Sequence, residues 1–211
     1  MQPTETTERK RGVRGPGRTN REDWLNTAMD TLISEGVEQV KVLTLAEKLD
    51  CARSSFYWYF KNRSELLNAL LDHWAETNTK AIITSANQPA DTINFALAKL
   101  YAGWLKGDTF DSALDFAIRD WARRSGTVRR ALDISDNARI EAITSMYTRF
   151  GYSETEAIVR ARTVYFTQIG YAMLDQREPK EVRSARSREY LFCMTGIQPT
   201  DEEVNVLVRT T

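Results

Sequence analysis

Apolar residues recur three and four positions apart along almost the whole chain, and nowhere does a long run of them alternate with polar residues. A repeat near 3.6 gathers side chains on one stripe of a helix, whereas a half-buried strand needs a repeat of two, so the pattern confines the chain to an all-α fold. Leu25, Ala28, Met29, Leu32 and Ile33 mark a first helix, opened by the capping-box spacing of Thr19 and Glu22 and stopped at Gly36. A short second helix is expected over 42–49. After a break at Asp50, Cys51 and Ala52 comes a third, over 53–60, too short and too aromatic to stand without packing on something. Ser64 is placed to cap a long fourth helix running to about Ala86, and five more are read over 91–106, 110–124, 127–149, 154–175 and 180–194. That makes about nine helices, followed by a polar tail from 197 that is expected to be loosely held.

The 211 residues, 42% hydrophobic and 27% charged, suit one globular core or a domain of about 50 residues docked on one of about 130. No apolar run approaches the roughly 20 residues that cross a bilayer, and the opening MQPTETTERKRG lacks the apolar centre of a secretory signal. A cytoplasmic protein without membrane contact is expected. Cys51 and Cys193 stand far apart without ligand-spaced partners, and His73 is the only histidine, a boundary residue on its helix. No metal site, disulfide framework, cofactor or histidine-based triad is expected, and the sequence argues against an enzyme. Lys and Arg balance Asp and Glu at 29 each, yet Arg9, Lys10, Arg11, Arg14, Arg18 and Arg21 form a stretch with no acidic residue, which leaves the body slightly acidic. Broken by Gly12, Gly15 and Gly17, the stretch suits a flexible arm that contacts phosphates; the alternative is a merely solvated terminus.

Two short helices joined by a three-residue turn and braced by a preceding helix have the spacing of a DNA-binding helix-turn-helix. The second of them, over 53–60, is the candidate reader. Arg53 at its start can reach guanine acceptors, while Ser54 and Ser55 are small enough for the helix end to approach a groove closely. The hydroxyl, indole and phenol donors around Tyr57, Trp58 and Tyr59 suit phosphate oxygens, and Phe56 and Phe60 face the core.

At these residues the chain resembles the tetracycline-repressor (TetR) family of bacterial regulators. The pattern runs from Ala28 and Gly36 through Leu45-Ala46, then Arg53-Ser54-Ser55-Phe56-Tyr57-Trp58-Tyr59-Phe60-Lys61-Asn62-Arg63, to Glu65-Leu66-Leu67, covering 19–70. The chain departs from the family at Lys41, where Ser or Thr is usual, at Asp50 in place of a turn glycine, at Ala52 in place of serine, and at Tyr59, where His is frequent. Lys41 cannot cap its helix but can meet a phosphate as a point charge, and Asp50 tolerates a left-handed backbone. The resemblance implies that Arg53, Ser54 and Ser55 face the groove while Lys41, Tyr57, Trp58, Tyr59 and Arg63 hold phosphates. The chain then divides into a flexible basic arm (1–18), a helix-turn-helix domain (19–65), a helical regulatory and dimerisation domain (66–196) and the polar tail (197–211).

The function so implied is that of a sequence-specific transcriptional regulator, a homodimeric repressor on near-palindromic double-stranded DNA. Its half-site centres would lie about one DNA turn (roughly 34–36 Å) or somewhat more apart, and a small-molecule effector would release it. The dimer is expected from the helices over 154–175 and 180–194, through the stripe Ile158, Ala161, Tyr165, Ile169 and Ala172. The effector cavity is expected among Trp74, Trp104, Trp121 and Tyr165, with Trp74 on the long helix behind the reader. Two alternatives stay open: a ligand-independent regulator of the same fold, whose rings simply fill the core, and a protein-interaction module whose helical corner grips a partner helix.

Overall fold

The computed structural model describes residues 19–105, 110–174 and 178–209, so the basic arm over 1–18 lies outside the described residues. All regular structure among the described residues is helical. Helix α1 (Arg21–Glu35) starts at Asn20, whose side chain accepts from the Asp23 N–H at 2.9 Å while Asp23 accepts from the Asn20 N–H at 2.8 Å. The box therefore sits one residue later than Thr19 and Glu22 suggest, and Thr19 offers its carbonyl elsewhere. Gly36, at φ +84°, ends the helix in a conformation that a side chain would strain. A single 3-10 turn (Val37–Gln39) leads to α2 (Val42–Lys48), which Lys41 opens without a side-chain cap. Asp50 then takes φ +49°, the one left-handed non-glycine residue described.

The expected third helix is a 3-10 segment, Arg53–Trp58, again without a side-chain cap. Ser64 is not the cap of the next helix: Asn62 accepts from the Glu65 N–H at 3.0 Å and opens α3 (Arg63–Trp74). A π turn (Ala75–Thr79) joins α3 to α4 (Lys80–Ala86) in one long rod. Behind it come α5 (Ile93–Leu105), α6 (Ser112–Ala122), α7 (Gly126–Arg149), α8 (Glu154–Met173), α9 (Lys180–Ala185), α10 (Ser187–Thr195) and α11 (Asp201–Val208). The described residues thus hold eleven α-helices rather than nine: the long rod and the 180–194 segment each divide, one helix lies in the supposed tail, and the expected third helix is 3-10 instead.

Over 197–209 the reading of a loose tail is corrected, while 210 and 211 lie outside the described residues. Thr200 and Glu203 form a capping box that starts α11, and Leu207 is buried against α5. Glu203 is itself buried, taking hydrogen bonds from Thr92, from Asn94 Nδ2 at 3.3 Å and from the Thr200 N–H at 2.7 Å. Thr92 in turn caps the start of α5 through Phe95 N. Polar residues that look solvated in sequence are the fastening here.

The apolar core falls into two clusters. The first joins α1, α2 and the reading segment to α3, and also to α6 and the start of α7, through Trp24, Leu66, Trp74, Ile118 and Leu132. The core does not divide at residue 65: α3 and α6 belong to the helix-turn-helix as much as to the helices behind it. The second cluster fills the space among α4, α5, α7, α8, α10 and α11.

Between the clusters lies a buried polar joint. Asp115 of α6 accepts from Trp74 Nε1, Arg139 Nη1 and Arg119 Nε, each at 2.9 Å. Arg139, fully buried, also donates to Thr79 Oγ1 in the π turn at 3.1 and 2.9 Å. Arg119 forks onto Asp136 at 2.9 and 2.8 Å, and Tyr165 of α8 donates to Asp136 at 2.7 Å. Burial works to raise the Asp115 pKa, but Arg139 and Arg119, with the Trp74 hydrogen bond, outweigh it and hold the carboxyl below its ordinary value.

Asp115→Asn leaves a buried guanidinium with no full counter-charge and is expected to cost about 3–5 kcal/mol, measured by urea unfolding. Because the folded-state pKa of Asp115 is depressed, its contribution is present above about pH 4 and lost as pH falls further. The variant should therefore show a weaker fall in stability on acidification below pH 4 than the parent.

Candidate functional site

The reading segment is held from below and open above. Phe56 and Phe60 are fully buried and stack with centroids 5.5 Å apart, and Trp24 of α1 meets the edge of Phe56 at 5.2 Å. A six-residue 3-10 segment without a side-chain cap has little stability of its own, so this aromatic base supplies its rigidity. Lys48 fastens α2 to α1 by donating to Thr31 Oγ1 at 3.0 Å and pairing with Glu35.

On the outer side, Lys41, Arg53 and Ser54 are exposed, with Tyr57 at 51% and Trp58 at 80%. Arg53 Nη2 lies 3.4 Å from the Tyr57 hydroxyl, so the two donors occupy one spot on the surface. Ser55 is half-buried and donates to the Ala52 carbonyl at 2.8 Å, closing the turn before the segment. It is the least available of the three residues expected to face a groove.

Two expected phosphate contacts are corrected. Arg63 points inward, with Nε donating to the Val40 carbonyl at 2.6 Å and Nη2 to the Val37 carbonyl at 2.7 Å. These carbonyls precede α2, so Arg63 ties the start of α3 to the loop before the helix-turn-helix. Tyr59 donates its hydroxyl to the Thr19 carbonyl at 2.6 Å, pinning the approach to α1. Both residues brace the reading head, because loop carbonyls within their reach need partners as much as a phosphate would. A basic or phenolic residue in a motif does not reveal in sequence which way it turns.

The expected effector residues also separate. Trp104 lines a cavity of about 260 Å³ among α5, α8, α9, α10 and α11, together with Tyr101, Tyr171, Arg183 and Tyr190. Tyr165 lines a smaller cleft of about 30 Å³ with Asp115, Arg119 and Arg139; the two spaces share Trp104, Ser112, Gln168 and Ala172. Trp74 is buried with its N–H on Asp115, and Trp121 lines a separate pocket of about 280 Å³ with Leu32, Val37 and Arg124. Neither borders the cavity. The cavity residues that sequence reasoning missed, Tyr101, Tyr171, Arg183 and Tyr190, are spread over four helices with no motif linking them.

The expected dimer stripe divides, with Ile158 exposed on the surface of α8. Ala161 and Tyr165 are buried inside the chain's own second cluster, while Val159, Phe166 and Met173 point outward on α8. That helix is apolar on two sides, and periodicity alone does not tell which one its own chain covers.

Arg63→Ala removes two charge-assisted hydrogen bonds and is expected to lower stability by about 2–4 kcal/mol in urea unfolding, against about 1 kcal/mol for Tyr59→Phe.

Residues 25–70 match the family model described as bacterial regulatory proteins, tetR family. Tetracycline repressor protein class C of Escherichia coli is 26% identical over 181 residues, spanning 85% of this chain and 76% of that protein. The fold is similar to that of the ketosteroid transcriptional regulator KstR2 of Mycobacterium tuberculosis, with TM-score 0.63 at 14% identity over 89% of this chain and 100% of the other. It is likewise similar to a TetR-family transcriptional regulator from Marinobacter aquaeolei, with TM-score 0.61 at 14% identity over 92% and 98%. No described helix is long and apolar enough to cross a membrane. With the braced helix-turn-helix carrying the segment that matches the tetR family model, and with similarity to a tetracycline repressor along most of its length, this chain is a DNA-binding transcriptional regulator similar to the tetR family.

Proposed function

We propose that the chain acts as a homodimeric repressor, that Arg53, Ser54, Tyr57 and Trp58 enter or flank the major groove of a near-palindromic operator, and that a small molecule in the Trp104 cavity releases it. The observation that carries the DNA contact is the 80% exposure of Trp58 beside exposed Tyr57 and Arg53, on a segment whose other face is fully buried. Exposing an indole on a rigid base has no intramolecular reason, and its N–H, like the Tyr57 hydroxyl, suits a phosphate oxygen. Lys41 stands ready for a neighbouring phosphate, and Ser55 sits behind as the turn's closure.

Pairing through α8 and α10 is supported by their outward apolar residues. Val159 is 58%, Phe166 48% and Phe192 41% exposed. Val159 and Phe166 lie at helical spacing on α8 and Phe192 on the neighbouring α10, and exposed apolar side chains on adjacent helices favour an interface.

Coupling between cavity and reader is supported by shared walls. Trp104, Ser112, Gln168 and Ala172 border both the cavity and the cleft beside Asp115, Arg119 and Arg139. A ligand that moved α6 or α8 would act on the residue holding Trp74, the last of the helix that begins at Arg63. A differential affinity of about 1–3 kcal/mol between the two arrangements changes operator affinity roughly 5–150-fold.

Arg53→Ala is expected to cost about 1–3 kcal/mol of operator affinity and to relax preference at one base per half-site, read by selection from random duplexes. Lys41→Ala should instead weaken binding to all sequences and reduce the salt slope by about one. Full affinity after Arg53→Ala would overturn the assignment of the reader. Phe166→Glu should give a monomer by sedimentation at micromolar concentration with operator affinity lost; a dimer surviving it would move the interface elsewhere.

A further inference from the structure

The walls of the 260 Å³ cavity are unequal. Trp104 and Leu207 offer apolar surface on one side. On the other stands Arg183 of α9, its guanidinium 5.5 Å from the centroid of the Tyr171 ring and its Nε buried without a hydrogen-bond partner among the described residues. A buried guanidinium N–H lacking an acceptor is costly, and beside a cavity it is best satisfied by an acceptor arriving from the cavity.

No described acceptor is hydrogen-bonded to the Arg183 Nε, and the polar groups nearby are engaged with one another. Tyr171 and Tyr190 hydroxyls lie 2.8 Å apart, with Tyr171 3.4 Å from Glu178, and the Glu178 carboxylate is paired with Arg186. The Tyr171 phenol is pushed up to about 12, first by its hydrogen bond with Tyr190 and then by burial, and burial also raises Tyr101. Tyr101 and Tyr171 therefore act as hydrogen-bonding walls.

We infer that the cavity takes a small organic anion, a monocarboxylate set against Arg183 with an aromatic or short aliphatic body against Trp104 and Leu207. This rests on the reading of the cavity as the effector site and names the chemistry of its ligand. A guanidinium fits a carboxylate in plane and gains most from a charged acceptor. The volume lies just under the roughly 300 Å³ at which ordinary ligand sites begin, which limits the body to about one ring system or a short chain.

The test is calorimetric titration of the full chain with benzoate, phenylacetate, indole-3-acetate and hexanoate, each beside its primary amide, with operator affinity measured in parallel. At least one acid is expected to bind at least about tenfold more tightly than its amide. Arg183→Gln should abolish that difference by weakening the acid towards the affinity of its amide. Failure of every acid to bind, or equal binding of acids and amides, overturns the inference, and this comparison needs only the unaltered protein should the variant fail to fold. An acid that binds through Arg183 without weakening operator binding upholds the ligand class and counts against the effector reading.

Discussion

The carboxylate of Asp115 is the joint on which the arrangement of the two cores depends. It receives an indole from the helix behind the reader, one guanidinium from its own helix and another from α7. Remove it and two arginines and a tryptophan N–H would each lose an acceptor in the protein interior. Buried ion pairs contribute little net stability relative to apolar packing, since desolvation offsets their attraction. Such a cluster contributes a definite arrangement instead: each donor has a direction, and α3, α6, α7 and α8 must stand where all of them are met.

The reading head obeys a different rule. Its rigidity comes from rings, with Phe56 and Phe60 on Trp24, and from side chains that cross between loops, with Arg63 on the Val37 and Val40 carbonyls and Tyr59 on Thr19. A 3-10 segment of six residues could not hold Arg53 and Trp58 in place unaided. The inward residues fix the outward ones, so the exposed face can vary to suit a sequence while the base stays constant.

Much of this is legible in the sequence. The 3.6 repeat marks the helices, Gly36 the first stop, and Asp50 the left-handed turn. The crowding of rings over 53–60 requires some to be buried, and Phe56 and Phe60 are the two that the pattern and the fold both place inside. Directions and long-range partners are not legible in this way. Arg63 and Tyr59 carry the same chemistry whether they face a phosphate or a carbonyl; Trp74 looks like a cavity wall until the residues that cover it are known. Glu203 reads as a solvated acid in a polar tail, because its partners Thr92 and Asn94 lie more than a hundred residues earlier. Only the folded chain brings such groups together, and no local pattern encodes the meeting.

The π turn at Ala75–Thr79 has a consequence for how this helix can change over generations. Trp74 and Thr79 are five residues apart, which in an uninterrupted α-helix would set them about 140° apart around the axis. The wider turn brings both onto the side where Asp115 and Arg139 wait. Substitutions along the rod leave that phase intact. So would loss of a single residue within the turn, since four residues of plain α-helix set the indole and the hydroxyl about 40° apart; loss of a second would rotate all of α4 by about 100° against α3 and turn one of them away from its partner.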